Sequence, residues 1–320
     1  MNFQGNSSFS DATPMLQTAW DSTSIGYFKE CPRKYQYMMV LGRQPREESV
    51  HLTFGLHYHK ALETYDHYRS RGMDHSEAQL EAVRYCYTAT VVRLGTGKAW
   101  RPWISDDPNK NRFTLVRSVV WYLEQFAEDA LKTVQLANGK PAVELSFRYQ
   151  TDIPIPTQQG ETFVLCGHLD RLVESDGDIY FLDRKTTKHQ LNTDTFAKYA
   201  PDNQMSLYDF SSTVVWQVPV KDGILDVAQV GATFTRFRRG FLHRTPAMRE
   251  EWYVDLSYYL SQAAFFAEKG YWPMNDKSCG NYGGCPFRPL CSKGPEVRAQ
   301  WLNALTVAKT WDPLRVRGDI

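Results

Sequence analysis

Two short β-rich runs leave this chain little freedom of local pairing. TFVLCGHLDRLVE (162–174) and DIYFLDRKTT (178–187) are separated by Ser175-Asp176-Gly177-Asp178, and Asp-Gly between alternating apolar residues is a strong signal for a two-residue hairpin. A hairpin fixes its own register, because a slip by one residue would turn every side chain to the other face. With the turn at Asp176-Gly177, Asp170 comes within reach of Asp183. Strand alternation puts Ile179, Phe181, Asp183 and Lys185 on one face, so an acid and a base emerge beyond an apolar base.

The surroundings define a fold class. Three segments before the hairpin, FGLHYHKALETYDHYRSRG, HSEAQLEAVRYCYTATVVRLG and about Arg112 to Val134, carry apolar residues three and four apart and predict helices. AVELSFRYQT predicts a strand before the hairpin. A helix from about Asp202 to Val215, a strand around GATFTRFR and a helix from about Met248 to Lys269 follow it. This order predicts an α/β protein with a mixed sheet flanked by helices. The expected divisions are an irregular polar arm over 1–20, a helical region over 21–138, a core over 139–270 and a Cys-rich segment and tail over 271–320.

Composition excludes little. A chain of 320 residues can bury a full core, and its formal charge of +1 rules out a generally basic protein without excluding a basic groove. No run of eighteen apolar residues occurs and the N-terminus lacks the character of a signal peptide, which predicts a cytoplasmic location with no membrane partner. Neither Gly97-Lys98 nor Gly139-Lys140 has the upstream glycine of a phosphate-binding loop, so ATP hydrolysis of that type is not expected.

Two carboxylates held close in a partly dry site repel unless a proton or cation lies between them. Mg²⁺ or Mn²⁺ suits oxygen ligands. A lysine alongside could orient a water or neutralise charge at a phosphorus centre, which points to phosphodiester hydrolysis. A bare DxK is short enough to occur by chance on any edge strand.

The wider pattern resembles the RecB-like branch of the PD-(D/E)xK nucleases, which includes CRISPR-associated and phage exonucleases. It rests on an early Cys in FKECPRKYQY, GxxxHxxLE from Gly55 to Glu63, GHLD ending at Asp170, DRK at 183–185, QMSLY from Gln204 to Tyr208 and a Cys-rich tail, in that order. The resemblance implies a restriction-endonuclease-like core, with His59 joining Asp170 and Asp183 as metal ligands, and with the Arg184 carbonyl as a further candidate. His57 is the local competitor to His59. Asp170, Asp183 and Lys185 would be catalytic, with Gln204 and Tyr208 as a pair beside the lysine and the DNA. Glu144 resembles an acidic position found on the first core strand.

Six cysteines stand at 31, 86, 166, 279, 285 and 291. Cys86 and Cys166 lie amid apolar neighbours and read as buried thiols. Cys279, Cys285 and Cys291 have five residues between neighbours in a Gly- and Pro-rich tail, and with Cys31 they make a four-sulfur set suited to an iron-sulfur cluster or to zinc. The resemblance implies a 4Fe-4S cluster, although the first two tail cysteines are further apart than the family's commoner pattern. Closing so long a loop would stabilise the fold by on the order of 4 to 5 kcal/mol in the chain-entropy model.

Arg33 with Lys34, Lys185 to Lys188, and Arg236 to Arg239 are basic clusters near aromatic residues that could meet phosphates and unstacked bases. The expected activity is a metal-dependent deoxyribonuclease acting on single-stranded DNA or on DNA with a free end, in a prokaryotic or phage-infected cell, with a helicase or recombination partner conceivable. The alternative is a catalytically silent DNA-binding or assembly protein of the same fold.

Overall fold

The computed structural model describes residues 8–47, 49–93 and 100–315. The chain forms two compact units, one from 1–47, 146–167 and 245–317, the other from 48–145, 168–244 and 318–320. As the sequence predicts, the protein is a mixed α/β fold in which helices flank a mixed sheet.

The second unit is built on the expected hairpin. Residues 168–175 of the strand Thr162–Ser175 and the strand Asp178–Thr187 enclose a turn at Asp176 and Gly177, both at positive φ, the conformation of the tightest hairpin turns. Their antiparallel pairing runs from Ser175↔Asp178 to Arg171↔Leu182, so Asp170 and Asp183 sit one step beyond the last pair. The Asp183 strand also pairs in parallel with Val220–Val230, Asp183 opposite Leu225 and Lys185 opposite Val227. Thr235–Leu242 extends the sheet antiparallel to that strand.

Val220–Val230 is a strand that the sequence reading omits. Its residues from Gly223 to Val230 are all buried. A strand covered on both faces has no reason to alternate, and here Gly223 and Asp226 also interrupt its apolar run. Gly223 is required by close approach: a Cβ there would come within 3.0 Å of three ring carbons of Phe181, its partner across the sheet.

Helix Val50–Ser70 buries Phe54, Tyr58, Ala61 and Leu62, at the three- and four-residue spacing of one helix face. These pack with Ala82, Cys86, Leu115, Val119, Ala228 and Val230. Helix His75–Ala89 is capped by Asp74, whose carboxylate accepts from the Ser76 and Glu77 N–H groups. It ends before the predicted Gly95, because Val91–Arg93 pairs as a strand with Trp100–Pro102; residues 94 and 95 lie outside the described residues. The helix expected from Arg112 to Val134 stops at Gln125, since Lys132–Thr133 joins the sheet beside Val173 and Glu174. Helix Asn203–Phe210 continues as a π turn over Ser211–Val215, matching the predicted span.

In the first unit, residues from Ser8 onward are ordered by a Phe9–Gln17 bridge and by Ala19–Trp20, which pairs in parallel with Val164–Leu165. Trp20 stacks on Tyr35 at 5.1 Å, and Phe28, Phe266 and Trp272 close an aromatic core around them. Helix Pro246–Lys269 ends at Gly270 in the left-handed conformation, the usual place for glycine at a helix C-terminus. Cys86 and Cys166 are buried as expected.

Candidate active site

Strand alternation turns Asp183 and Lys185 to the face where Phe181, Leu225, Val227, Met205 and Tyr208 pack. Lys185 Nζ donates to Asp183 Oδ1 at 3.0 Å and to Gln204 Oε1 at 2.9 Å. An ammonium only donates, so the Gln204 oxygen must face it and the amide nitrogen must point away. That nitrogen donates to Tyr208 OH at 2.7 Å. The four-residue spacing of Gln204 and Tyr208 therefore has a physical meaning: the pair is one arm of a chain, Tyr208–Gln204–Lys185–Asp183, that fixes the lysine.

Asp170 is held from the other side. His59 Nδ1 lies 3.1 Å from Asp170 Oδ2, and the Arg184 N–H donates to the same oxygen at 3.0 Å. His57 points elsewhere, toward Tyr85 and Trp103. Glu63, on the same helix, pairs with Lys60 and His67. The structure thus brings His59, Asp170, Asp183, Lys185, Gln204 and Tyr208 together in one place.

The two carboxylates have opposite electrostatic fates. Burial alone would raise Asp170, but His59, Lys185 and the Arg184 amide outweigh it and hold this carboxyl well below its ordinary range. Burial raises Asp183, Lys185 lowers it, Asp170 raises it again, and the net is a carboxyl pushed up to about 6. His59 and Lys185 are both displaced upward: burial disfavours their charged forms, but the facing carboxylates win. Burial, then Asp170 and Asp183, push Tyr208 far above the phenol range, so it stays protonated. Glu144, close enough to raise Tyr208 further, adopts a left-handed φ of 49°, a strained backbone for this residue type.

Among the described residues, no three His, Cys, Asp or Glu side chains stand ready as a metal-binding set. The chemistry of the site nevertheless fits a hard divalent cation. Asp183 Oδ2 is buried, with the Lys185 ammonium 2.7 Å away as its ion-pair partner. It shares the site with a second carboxylate and an imidazole.

The cysteines predicted to act together are in the first unit. Cys31 is buried, while Cys279, Cys285 and Cys291 are partly exposed. Burial raises the Cys285 thiol, and Cys279 and Cys31 add to the rise; Cys291 is raised by burial and by Cys285 and Cys31. The four sulfurs thus share one neighbourhood without being arranged as metal ligands. The donor set fits a thiophilic metal or cluster.

Of the basic clusters, Arg33 is buried and donates to the Trp272 carbonyl at 2.6 Å, and Lys34 pairs with Glu30. Arg239 pairs with Asp129 and Asp226. These three are engaged within the fold, whereas Lys188, Arg236 and Arg238 are exposed.

Sequence reasoning missed Asp66. This buried carboxylate binds Arg171 at 3.2 Å and Arg184 at 2.6 Å. A signal for it exists in the repeated Leu-Asp-Arg at 169–171 and 182–184.

Comparison with known proteins agrees with this architecture. Residues 22–292 match the model of the PD-(D/E)XK nuclease superfamily. No curated protein matches the sequence. Among solved structures, a “Putative exonuclease” of Eubacterium rectale is similar at 10% identity and TM-score 0.47, covering 88% of this chain and 92% of that one. The protein SSO0001 is similar at 9% identity and TM-score 0.31, covering 74% of each chain. The family match spans most of the chain, and this protein belongs to the PD-(D/E)XK nuclease superfamily.

Proposed function

We propose that this protein is a divalent-metal-dependent DNA nuclease of the RecB-like branch, acting as an exonuclease or on DNA ends. The observation that carries the reading is the convergence of two buried carboxylates, Asp170 and Asp183, with His59 and a lysine held by Gln204. His59, Asp170 and Asp183 would hold Mg²⁺ or Mn²⁺. When bound, such a cation supplies Lewis acidity toward a phosphate oxygen and a water of lowered pKa.

The chain's own groups do the rest. Lys185 stays protonated beside Asp183 and is aimed by Gln204, so its charge is in place where negative charge develops on a phosphate. Tyr208 stays protonated and accepts from Gln204, which keeps that amide from rotating. Lys188, Arg236 and Arg238 are the exposed cations of the second unit that suit the DNA backbone. Cys31, Cys279, Cys285 and Cys291 are assigned to a structural 4Fe-4S cluster, with zinc as the alternative. A cytoplasmic setting and a helicase or recombination partner follow from the same reading.

Digestion of linear and closed circular DNA, with Mg²⁺ or Mn²⁺ and with chelator, tests this proposal. Metal-dependent loss of linear DNA alone supports an end-dependent nuclease. Equal digestion of both forms removes the need for an end. Binding without cleavage in every condition favours the silent DNA-binding alternative.

A further inference from the structure

The site contains two Asp-Arg pairs, Asp170-Arg171 and Asp183-Arg184, on neighbouring strands. Alternation sends each arginine to the face opposite its aspartate. There both arginines meet one carboxylate: Asp66 Oδ1 lies 3.2 Å from Arg171 Nη1, and Asp66 Oδ2 lies 2.6 Å from Arg184 Nη1. All three side chains are buried, Asp66 to within 2%. Arg171 is fixed further by donating to Thr133 Oγ1 at 2.9 Å, and the Arg184 guanidinium lies over the Tyr122 ring.

Asp66 belongs to the helix that carries His59, seven residues further on. Seven residues are close to two turns, so both project from one face, about 10 Å apart along the axis. Through the arginines, Asp66 joins that helix to the residues adjacent to both catalytic-site aspartates. Arg184 also connects the two faces, because its backbone N–H donates to Asp170 while its side chain binds Asp66.

Resting on the metal-nuclease reading above, we infer that Asp66 is a positioning residue that sets the mutual spacing of His59, Asp170 and Asp183 through Arg171 and Arg184. It touches neither substrate nor cation. Its effect is registry: one carboxylate, bound to two strands and carried on a third element, holds one ligand from a helix against two from a hairpin distant in the sequence. Groups hydrogen-bonded directly to a metal ligand, as the Arg184 N–H is to Asp170, typically change metal affinity about 10–100-fold when altered, and Asp66 acts by holding that arginine and Arg171.

Asp129 provides the control. It is a second partly buried carboxylate of the same unit, hydrogen-bonded twice by Arg239, and Arg171 reaches it through the field of its charge rather than through a hydrogen bond among the described contacts. Mn²⁺ binding to the folded protein, read from the electron paramagnetic resonance signal of free Mn²⁺, should weaken about 10–100-fold in Asp66→Asn. It should stay within about 2-fold of wild type in Asp129→Asn, even where thermal unfolding shows that both variants lose stability; this threshold lies well below the range for partners of metal ligands. If Asp66→Asn does not fold, a variant combining Asp66→Leu, Arg171→Met and Arg184→Met, which removes the charges together, is read against the same thresholds. Unchanged Mn²⁺ affinity in a folded Asp66 variant overturns the inference, as does equal weakening in Asp129→Asn. Wild-type protein that binds no Mn²⁺ overturns the metal-centre reading itself, an outcome seen before any variant is compared.

Discussion

Replacing Asp183 by asparagine should stabilise the metal-free protein at neutral pH while abolishing the proposed metal-dependent chemistry. Burial and the neighbouring Asp170 raise the Asp183 carboxyl from 3.8 to about 6. A group with a raised folded pKa binds its proton more tightly in the folded state, so this contribution is fully present below about 4 and is lost as pH rises to about 6. A shift of about 2 pKa units corresponds to on the order of 3 kcal/mol of destabilisation above that range, taking 1.36 kcal/mol per unit. Asparagine has the same shape and no charge. In EDTA, urea unfolding followed by tryptophan fluorescence should show Asp183→Asn more stable than wild type by about 2–3 kcal/mol at pH 7.5, with the two converging near pH 4. Saturating Mn²⁺ should reverse the order, because a cation that binds only the folded wild type adds to its stability. A variant less stable than wild type at pH 7.5 in EDTA would refute the reasoning.

Other consequences follow from the same contacts. Gly223→Ala drives a methyl group into the Phe181 ring and should cost about 1–3 kcal/mol of stability, with Phe181→Leu relieving most of that cost in the double variant; equal costs in both backgrounds would show that the ring is not the obstacle. Gln204→Leu removes the acceptor that aims Lys185 and should lower kcat by about 10–100-fold with little change in KM for DNA, on the scale of a few kcal/mol for a hydrogen bond to a charged group. A change confined to KM would assign Gln204 to DNA binding. Cys291→Ala should lose bound iron, or zinc, in metal analysis of anaerobically purified protein; an undiminished content would remove Cys291 from the proposed cluster.

Much of the site was legible because its information is local. The Asp176-Gly177 turn fixes which residues oppose one another, and two-residue alternation does the rest for Asp183 and Lys185. His59, Gln204 and Tyr208 were found through motif order, and the structure supplies the reason for the latter two, a hydrogen-bonded arm that ends on Lys185. What was illegible depends on distant partners. Val220–Val230 has no alternation because both its faces are covered, and its parallel neighbour lies more than thirty residues earlier in the sequence. The tail of the Arg112 helix was misread because a helical pattern gives way at Lys132 to pairing with Glu174. Asp66 carries no local sign of its role, which exists only where a helix meets two arginines from a hairpin 105 residues away at Arg171 and 118 at Arg184.

By the proposal above, Asp183 and Lys185, with Asp170 and His59, form a centre that hydrolyses DNA with a divalent cation. Cleavage of end-labelled single-stranded and duplex DNA by anaerobically purified protein with Mg²⁺ or Mn²⁺, beside folded Asp183→Ala, measures it directly. Wild type should give metal-dependent products, with none in chelator and none from the variant. Products that persist in Asp183→Ala, or in chelator, would contradict the proposal.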